Sequence, residues 1–174
     1  MNIIFLDLEA TCWEGEKRLE RMEVIEIGAV KLDGKSLKSI DEFSSFAKPI
    51  NEPILSDFCK ELTSIQQCDV AKAEDFNTFF RRFLKWIGES SYRIVSWGEY
   101  DLKQLTRECK RHRINLPGKF RSKHTNIKQL FAKQRKIRPC GVAQALKMLG
   151  LTFEGTHHRA IDDARNIVRI LVNI

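Results

Sequence analysis

The stretch FLDLEATC, from Phe5 to Cys12, sets two acids, Asp7 and Glu9, among Phe5, Leu6 and Leu8. Side chains two apart on a strand share a face. Ile4, Leu6 and Leu8 then form a wholly apolar face, and Ile3, Phe5, Asp7 and Glu9 a face that turns acidic at its end. Two carboxylates about 7 Å apart on one rigid strand repel each other and resist burial. The group that best offsets them is a divalent cation.

Further acids follow. In SWGEYDLKQL, Asp101 stands just past an apolar run. With Gln104 three residues on, it has the form of a capping box. It is also a third carboxylate at the carboxyl end of a strand, where open sheets place their sites. The two roles are compatible. In THHRAIDDARNIVRIL, the residues Ala160, Ala164, Ile167, Val168 and Leu171 form the apolar stripe of a helix. Asp162 then shares the outer face with Arg165, Asn166 and Arg169, while Asp163 lies on the inward side between Ala160 and Ala164. An inward carboxylate is costly unless paired or metal-bound, so the helix phase selects Asp163 over Asp162. His158, just ahead of the helix, is placed to act as a general base beside such carboxylates. His157 reads as exposed. Hard oxygen ligands suit Mg²⁺, with Mn²⁺ as a substitute. Four acids that bind two cations, in a basic chain, suggest two-metal phosphodiester hydrolysis.

The elements that must carry these residues follow from periodicity. Strands are predicted at 2–9, 24–32, 40–47 and 92–97, with a short fifth near 123–127. The second ends at Asp33-Gly34, a hairpin signal. Pro49 and Pro53 mark an irregular crossing. Phe76, Phe79, Phe80, Phe83, Leu84 and Ile87 recur at helical spacing, which predicts an amphipathic helix over 73–87 stopped by Gly88. Further helices are predicted at 102–111, 127–136, 141–149 and 159–172. Three strands in hairpin order, then alternating helices and strands, give an α/β fold with a mixed sheet and helices on its faces.

The bulk properties agree. The chain has 174 residues, 43% of them hydrophobic, enough for one domain with its own core. No signal peptide is visible, and no run approaches the roughly 20 apolar residues of a transmembrane helix. Cys12, Cys59, Cys68, Cys109 and Cys140 are odd in number and scattered. That argues against a disulfide framework or zinc site and for a cytoplasmic setting. Net charge is +7, and it is uneven. Residues 102–138 hold 13 Lys or Arg against one acid, Glu108, a net of +12 that leaves the rest of the chain at −5. Such segregation fits a phosphate-binding flank beside an acidic site.

In the order Asp-x-Glu, Asp, then His-x4-Asp, the chain resembles the DEDDh 3′–5′ exonucleases. The segments FLDLEATCW, LSDFCKELTSIQQCDVAKAEDF, SWGEYD and HHRAIDDARNI are similar to the 3′ histone-mRNA exonuclease branch, which includes the enhanced-RNAi nucleases. Ser64 departs from the Gly usual in that branch. The resemblance implies an RNase H-like fold with a five-stranded mixed sheet flanked by helices, as a single exonuclease domain over 1–174. Relatives often carry an extra N-terminal nucleic-acid-binding domain, which this chain is expected to lack. It implies that Asp7 bridges both metals, that Glu9 and Asp163 hold the metal carrying the attacking water, and that Asp101 supports the second. His158 would take the water's proton, releasing a nucleoside 5′-monophosphate. Ala10 and Thr11 would contact a free 3′ end. Trp97 would either stack on a base or close the fourth strand as core, and Cys12 and Trp13 would be pocket wall or core. The implied partner is nucleic acid with a free 3′ end, RNA favoured. The alternatives are a DNA-directed proofreading exonuclease and a catalytically silent binding module of the same fold. Glu26, an acid inside the apolar VIEIGAV, has no role in any motif.

Overall fold

In a computed structural model describing residues 1–173, strands β1 (Asn2–Ala10), β2 (Val24–Asp33) and β3 (Ser39–Lys48) form an antiparallel meander. The turn after Asp33 is tied by its own carboxylate, which accepts the N–H groups of Lys35 and Ser36. Next come α1 (Asp57–Thr63), α2 (Gln67–Ala71), a two-residue strand β4 (Glu74–Asp75) and α3 (Phe76–Ile87). The chain continues through β5 (Tyr92–Ser96), α4 (Tyr100–Arg111), α5 (Lys119–Ser122) and β6 (His124–Asn126). It ends with α6 (Ile127–Arg135), α7 (Val142–Met148) and α8 (Ala160–Leu171).

The sheet order is β4-β3-β2-β1-β5-β6, with β5 parallel to β1, β6 parallel to β5 and β4 parallel to β3. The sheet therefore has six strands rather than the expected five. The addition is β4, which pairs only with Ala47 and Lys48 and is too short to leave a period-two signal. Its Asp75 caps α3 by accepting the Thr78 N–H, so the helix starts at 76 rather than 73. The stretch expected to be an irregular crossing contains α1 and α2, each too short for periodicity to reveal. Ser56 caps α1 by accepting the Cys59 N–H.

Both faces of the sheet are covered. On one, the phenylalanines of α3 pack with Leu105, Cys109 and Phe120 against Ile4, Leu6 and Leu8. On the other, α6, α7 and α8 pack against Phe5, Val30 and Val95. Among the described residues no helix is long and apolar enough to cross a membrane.

Helix α8 lies across β1 and β2 and approaches β2 closely at one point. A side chain at Gly28 would bring its Cβ within 2.0 Å of the Ile161 nitrogen and 2.1 Å of the Ala160 carbonyl carbon. Both are backbone atoms, so the first turn of α8 sits where only glycine leaves room. Gly28 pairs with Asp7 across the β1–β2 ladder, which puts that turn directly over the acidic end of β1. Gly28→Ala must push the helix outward. We expect a loss of about 3 kcal/mol, the upper part of the range for overpacking, measurable by urea denaturation.

Candidate active site

Asp7 and Glu9 project from one face of β1, as alternation requires. A bulge follows at once: Glu9 pairs with Glu26, and Ala10 with Val24. The first turn of α8 brings Asp163 to them. One carboxylate oxygen from each of Asp7, Glu9 and Asp163 lies within 4.8 Å of the others. Asp163 is 5% exposed, so the inward phase read from the apolar stripe is the observed one. A cavity of about 300 Å³ is lined by Asp7, Glu9, Asp101, His158 and Asp163 together with Trp97, Tyr100 and His157.

Asp101 arrives differently from the capping-box expectation. Gly98, at φ +115°, turns the chain out of β5 early, so α4 begins at Tyr100 and Asp101 sits inside its first turn. Gln104 donates its side-chain amide to the Met22 carbonyl. The Asp101 carboxylate accepts the N–H of Leu8 at 3.2 Å. Strand β5 pairs only with Asn2–Phe5 of β1, so this amide lies beyond the ladder and Asp101 supplies its acceptor. Asp101 thus ties α4 to the acidic strand.

His158 has φ +60°, a left-handed conformation uncommon outside glycine. Its N–H donates to Asp163 Oδ2 at 2.8 Å, and its Nδ1 lies 3.9 Å from Glu9 Oε1. His157 is exposed, stacks on Phe153 with centroids 4.6 Å apart, and borders the cavity.

The outer face of α8 is less solvated than the sequence suggested, because residues 152–156 lie over it. Asn166 is fully buried; it donates to the Glu154 and Asp162 carbonyls at 2.8 Å each. Asp162 accepts the Thr156 N–H at 2.9 Å and pairs with Arg165 at 3.0 Å. It therefore fastens the loop leading to His158 and stands outside the cavity lining.

Trp97 lies between the cavity and the core. Its ring borders the cavity and also packs on Phe131, with Nε1 donating to the Cys140 carbonyl at 2.9 Å. Ala10 and Thr11 are buried and stand outside the lining; the Thr11 hydroxyl accepts the Glu23 N–H at 2.9 Å. Cys12 and Trp13 also lie outside the lining. Cys12 packs against the small core around Ile25 and Cys59, and Trp13 carries Arg21 4.5 Å over its ring. Tyr100 was missed by sequence reasoning. It is 39% exposed and borders the cavity, and its only signal was its place immediately before Asp101.

The electrostatics match the geometry. Burial first, then Asp101, Glu9 and Asp163, hold the Asp7 carboxyl well above the usual range. Burial, Asp163 and Glu26 push Glu9 up to about 9. Burial raises Asp101 to about 7 and Asp163 to about 6. Burial and the neighbouring His157 lower the His158 pKa, leaving a neutral imidazole at pH 7 that can accept a proton. Carboxylate oxygens that repel one another at such range form a donor set suited to a hard divalent cation.

The basic segment does not form one track. Helices α4 and α5 pack on one face of the sheet and α6 on the other, so residues 102–138 wrap around the β6 edge.

Comparison with known proteins decides the family. The RNase_T model, described as an exonuclease, matches residues 4–171. The chain belongs to this exonuclease family. It is 32% identical, over 95% of its length, to the 3′-5′ exonuclease Snipper of Drosophila melanogaster, of which it spans 66%. It is 30% identical, over 94% of its length, to ERI1 exoribonuclease 2 of Homo sapiens, of which it spans 27%. The chain thus spans less than two thirds of either relative. Among solved structures, the nuclease domain of 3′hExo, a DEDDh family member bound to rAMP, matches with a TM-score of 0.92 and 31% identity, over 98% of this chain and 90% of that one. The mixed α/β sheet with flanking helices is the DEDDh architecture, here with one more short strand than expected.

Two expectations follow. Asp163→Asn should abolish turnover and weaken Mn²⁺ binding, since a hard cation needs the charge. Asp162→Asn keeps an acceptor for Thr156 and loses only a half-exposed ion pair; it should cost about 0.5–1 kcal/mol and leave turnover near normal. Turnover and Mn²⁺ titration of both variants check this. The second expectation concerns pH. Carboxylates with raised folded-state pKa contribute most to stability below about pH 4, their unfolded range, and that contribution fades as pH rises through about 6 to 9. A cation that replaces the protons reverses the loss. Excess Mn²⁺ should therefore raise the melting temperature more at about pH 8 than at about pH 6, as thermal scans against EDTA would measure.

Proposed function

We propose that this chain is a metal-dependent 3′–5′ exonuclease that removes nucleoside 5′-monophosphates from the free end of RNA or short single strands. The observation that carries the reading is the convergence of the Asp7, Glu9 and Asp163 oxygens within 4.8 Å, in a cavity that His158 and Asp101 also line.

Asp7, Glu9 and Asp163 would hold one divalent cation, and Asp7 with Asp101 a second. Mg²⁺ is the favoured ion and Mn²⁺ its substitute, since the ligands are all oxygens. Such cations, when bound, neutralise charge on the phosphoryl oxygens and activate water. The neutral imidazole of His158 receives the water's proton. Its left-handed backbone, tied to Asp163, holds the ring beside the carboxylates. Trp97 and Tyr100 offer aromatic surface to the terminal nucleotide. Ala10 and Thr11 contribute through the backbone that fixes the end of β1. The exposed Lys133, Arg135, Lys136 and Arg138, on the face of the sheet shared by α6 and α8, hold the phosphates further along the strand. RNA is favoured because the relatives include a protein named an exoribonuclease and a nuclease domain that holds rAMP. A silent binding module is disfavoured, because all five residues meet in one cavity. We read 1–174 as a single exonuclease domain. Five free cysteines among the described residues suit a reducing cytoplasm.

Labelled single-stranded RNA and DNA of equal sequence, with Mg²⁺ and with EDTA, test the proposal. We expect shortening from the 3′ end only with Mg²⁺, faster on RNA, with circular strands untouched. His158→Ala should lower turnover by about 10²–10⁴ and leave Mn²⁺ affinity nearly unchanged. Full activity in EDTA, or equal cutting of circles, overturns the reading.

A further inference from the structure

Glu26 is fully buried in the middle of an apolar strand. It stands opposite Glu9 in the β1–β2 ladder, so both carboxylates project from the face that α8 covers. An unpaired acid there would be very costly. Glu26 instead binds the residues that immediately follow His158. Its Oε1 accepts Arg159 Nη2 at 3.0 Å, both oxygens lie 3.3 Å from Arg159 Nε, and Oε2 accepts the Ala160 N–H at 3.0 Å. On its other side the Arg159 guanidinium rests 5.2 Å over the Phe46 ring. Arg159 is also the residue before the helix, and its carbonyl accepts the N–H groups of Asp162 and Asp163.

We propose that Glu26 is a positioning residue for His158. The strained φ of His158 needs restraint on both sides. Asp162, through Thr156, restrains the chain before it, and Asp163 holds its own N–H. Glu26 restrains the chain after it. The register makes this specific: the paired residues 9 and 26 face the consecutive residues 158 and 159. Glu26 touches none of the reacting atoms. Asp163 is held in addition by the contact of α8 with Gly28 and by the apolar stripe of the helix. Loss of the Glu26 clamp therefore loosens the imidazole, while the packing of α8 still holds Asp163 in the ligand cluster.

The proposal rests on His158 being the base, and the test separates the two. Single-turnover rates on single-stranded RNA are measured for Glu26→Gln in the natural chain and in the His158→Ala background, with KM and Mn²⁺ affinity alongside. A misplacement of about 1 Å in a catalytic group costs on the order of a hundredfold. We expect kcat to fall about 10- to 100-fold with KM within about twofold, while Mn²⁺ affinity, which also feels the lost charge opposite Glu9, falls equally in both backgrounds. In the His158→Ala background the same change should cost less than about threefold in kcat. Arg159→Lys, which keeps the charge but not the two-nitrogen fork, should show the same pattern at about 3- to 10-fold and serves if Glu26→Gln folds poorly. An equal loss of kcat in both backgrounds, or an unchanged kcat with His158 present, overturns the positioning role alone. A His158→Ala enzyme with undiminished turnover overturns the base assignment, and this role with it.

Discussion

Four carboxylates are held at one end of the sheet against their mutual repulsion, and the surrounding structure is built to keep them there. Two are locked by alternation on β1. The third comes from α4, whose first turn supplies an acceptor for an amide beyond the β5 ladder. The fourth comes from α8, which reaches the cluster only because Gly28 has no side chain. Each acid is carried on a regular element, so the backbone does not shift to relieve the repulsion. Burial, and then this repulsion, hold the carboxyls above the ordinary range, and a proton or a cation relieves both.

The opposing force is burial on both faces of the sheet. Phe76, Phe79, Phe80 and Phe83 are all essentially inaccessible to water. Each contributes about 1.5–3 kcal/mol relative to exposure, before the entropy of ordering. The second face is sealed by the stripe of α8, so the helix that delivers Asp163 is also a wall of the core. Catalytic geometry and stability share the same element.

Much of this was legible in the sequence. The phase of one helix separated Asp163 from its neighbour Asp162, because apolar residues at 160, 164 and 167 leave one inward slot. The mixed sheet was legible too, because three strands in hairpin order and the phenylalanine periodicity are strong signals. What escaped depends on contacts distant in the chain. The real task of Asp101 is an amide 93 positions away, which no local spacing reveals, while a capping box is a local pattern and was read as such. Glu26 had no role because its partners lie 133 and 134 positions away. Asn166 was placed on a solvated face because periodicity cannot show that residues 152–156 fold over it. Strand β4 and the two short helices fell below the length at which periodicity can be read.

The ends of the sheet carry a separate consequence. A long row of unpaired backbone N–H and C=O groups invites a strand from another molecule. Here one edge is β6, with three residues, and the other is β4, with two. The length of β3 that β4 leaves uncovered holds Asp41 and Glu42, engaged by Trp86 and Arg165. Basic residues crowd the β6 end. The terminal ladders are therefore short, and the uncovered length of β3 is guarded by charged side chains, which discourages a second copy of the chain from adding a strand there.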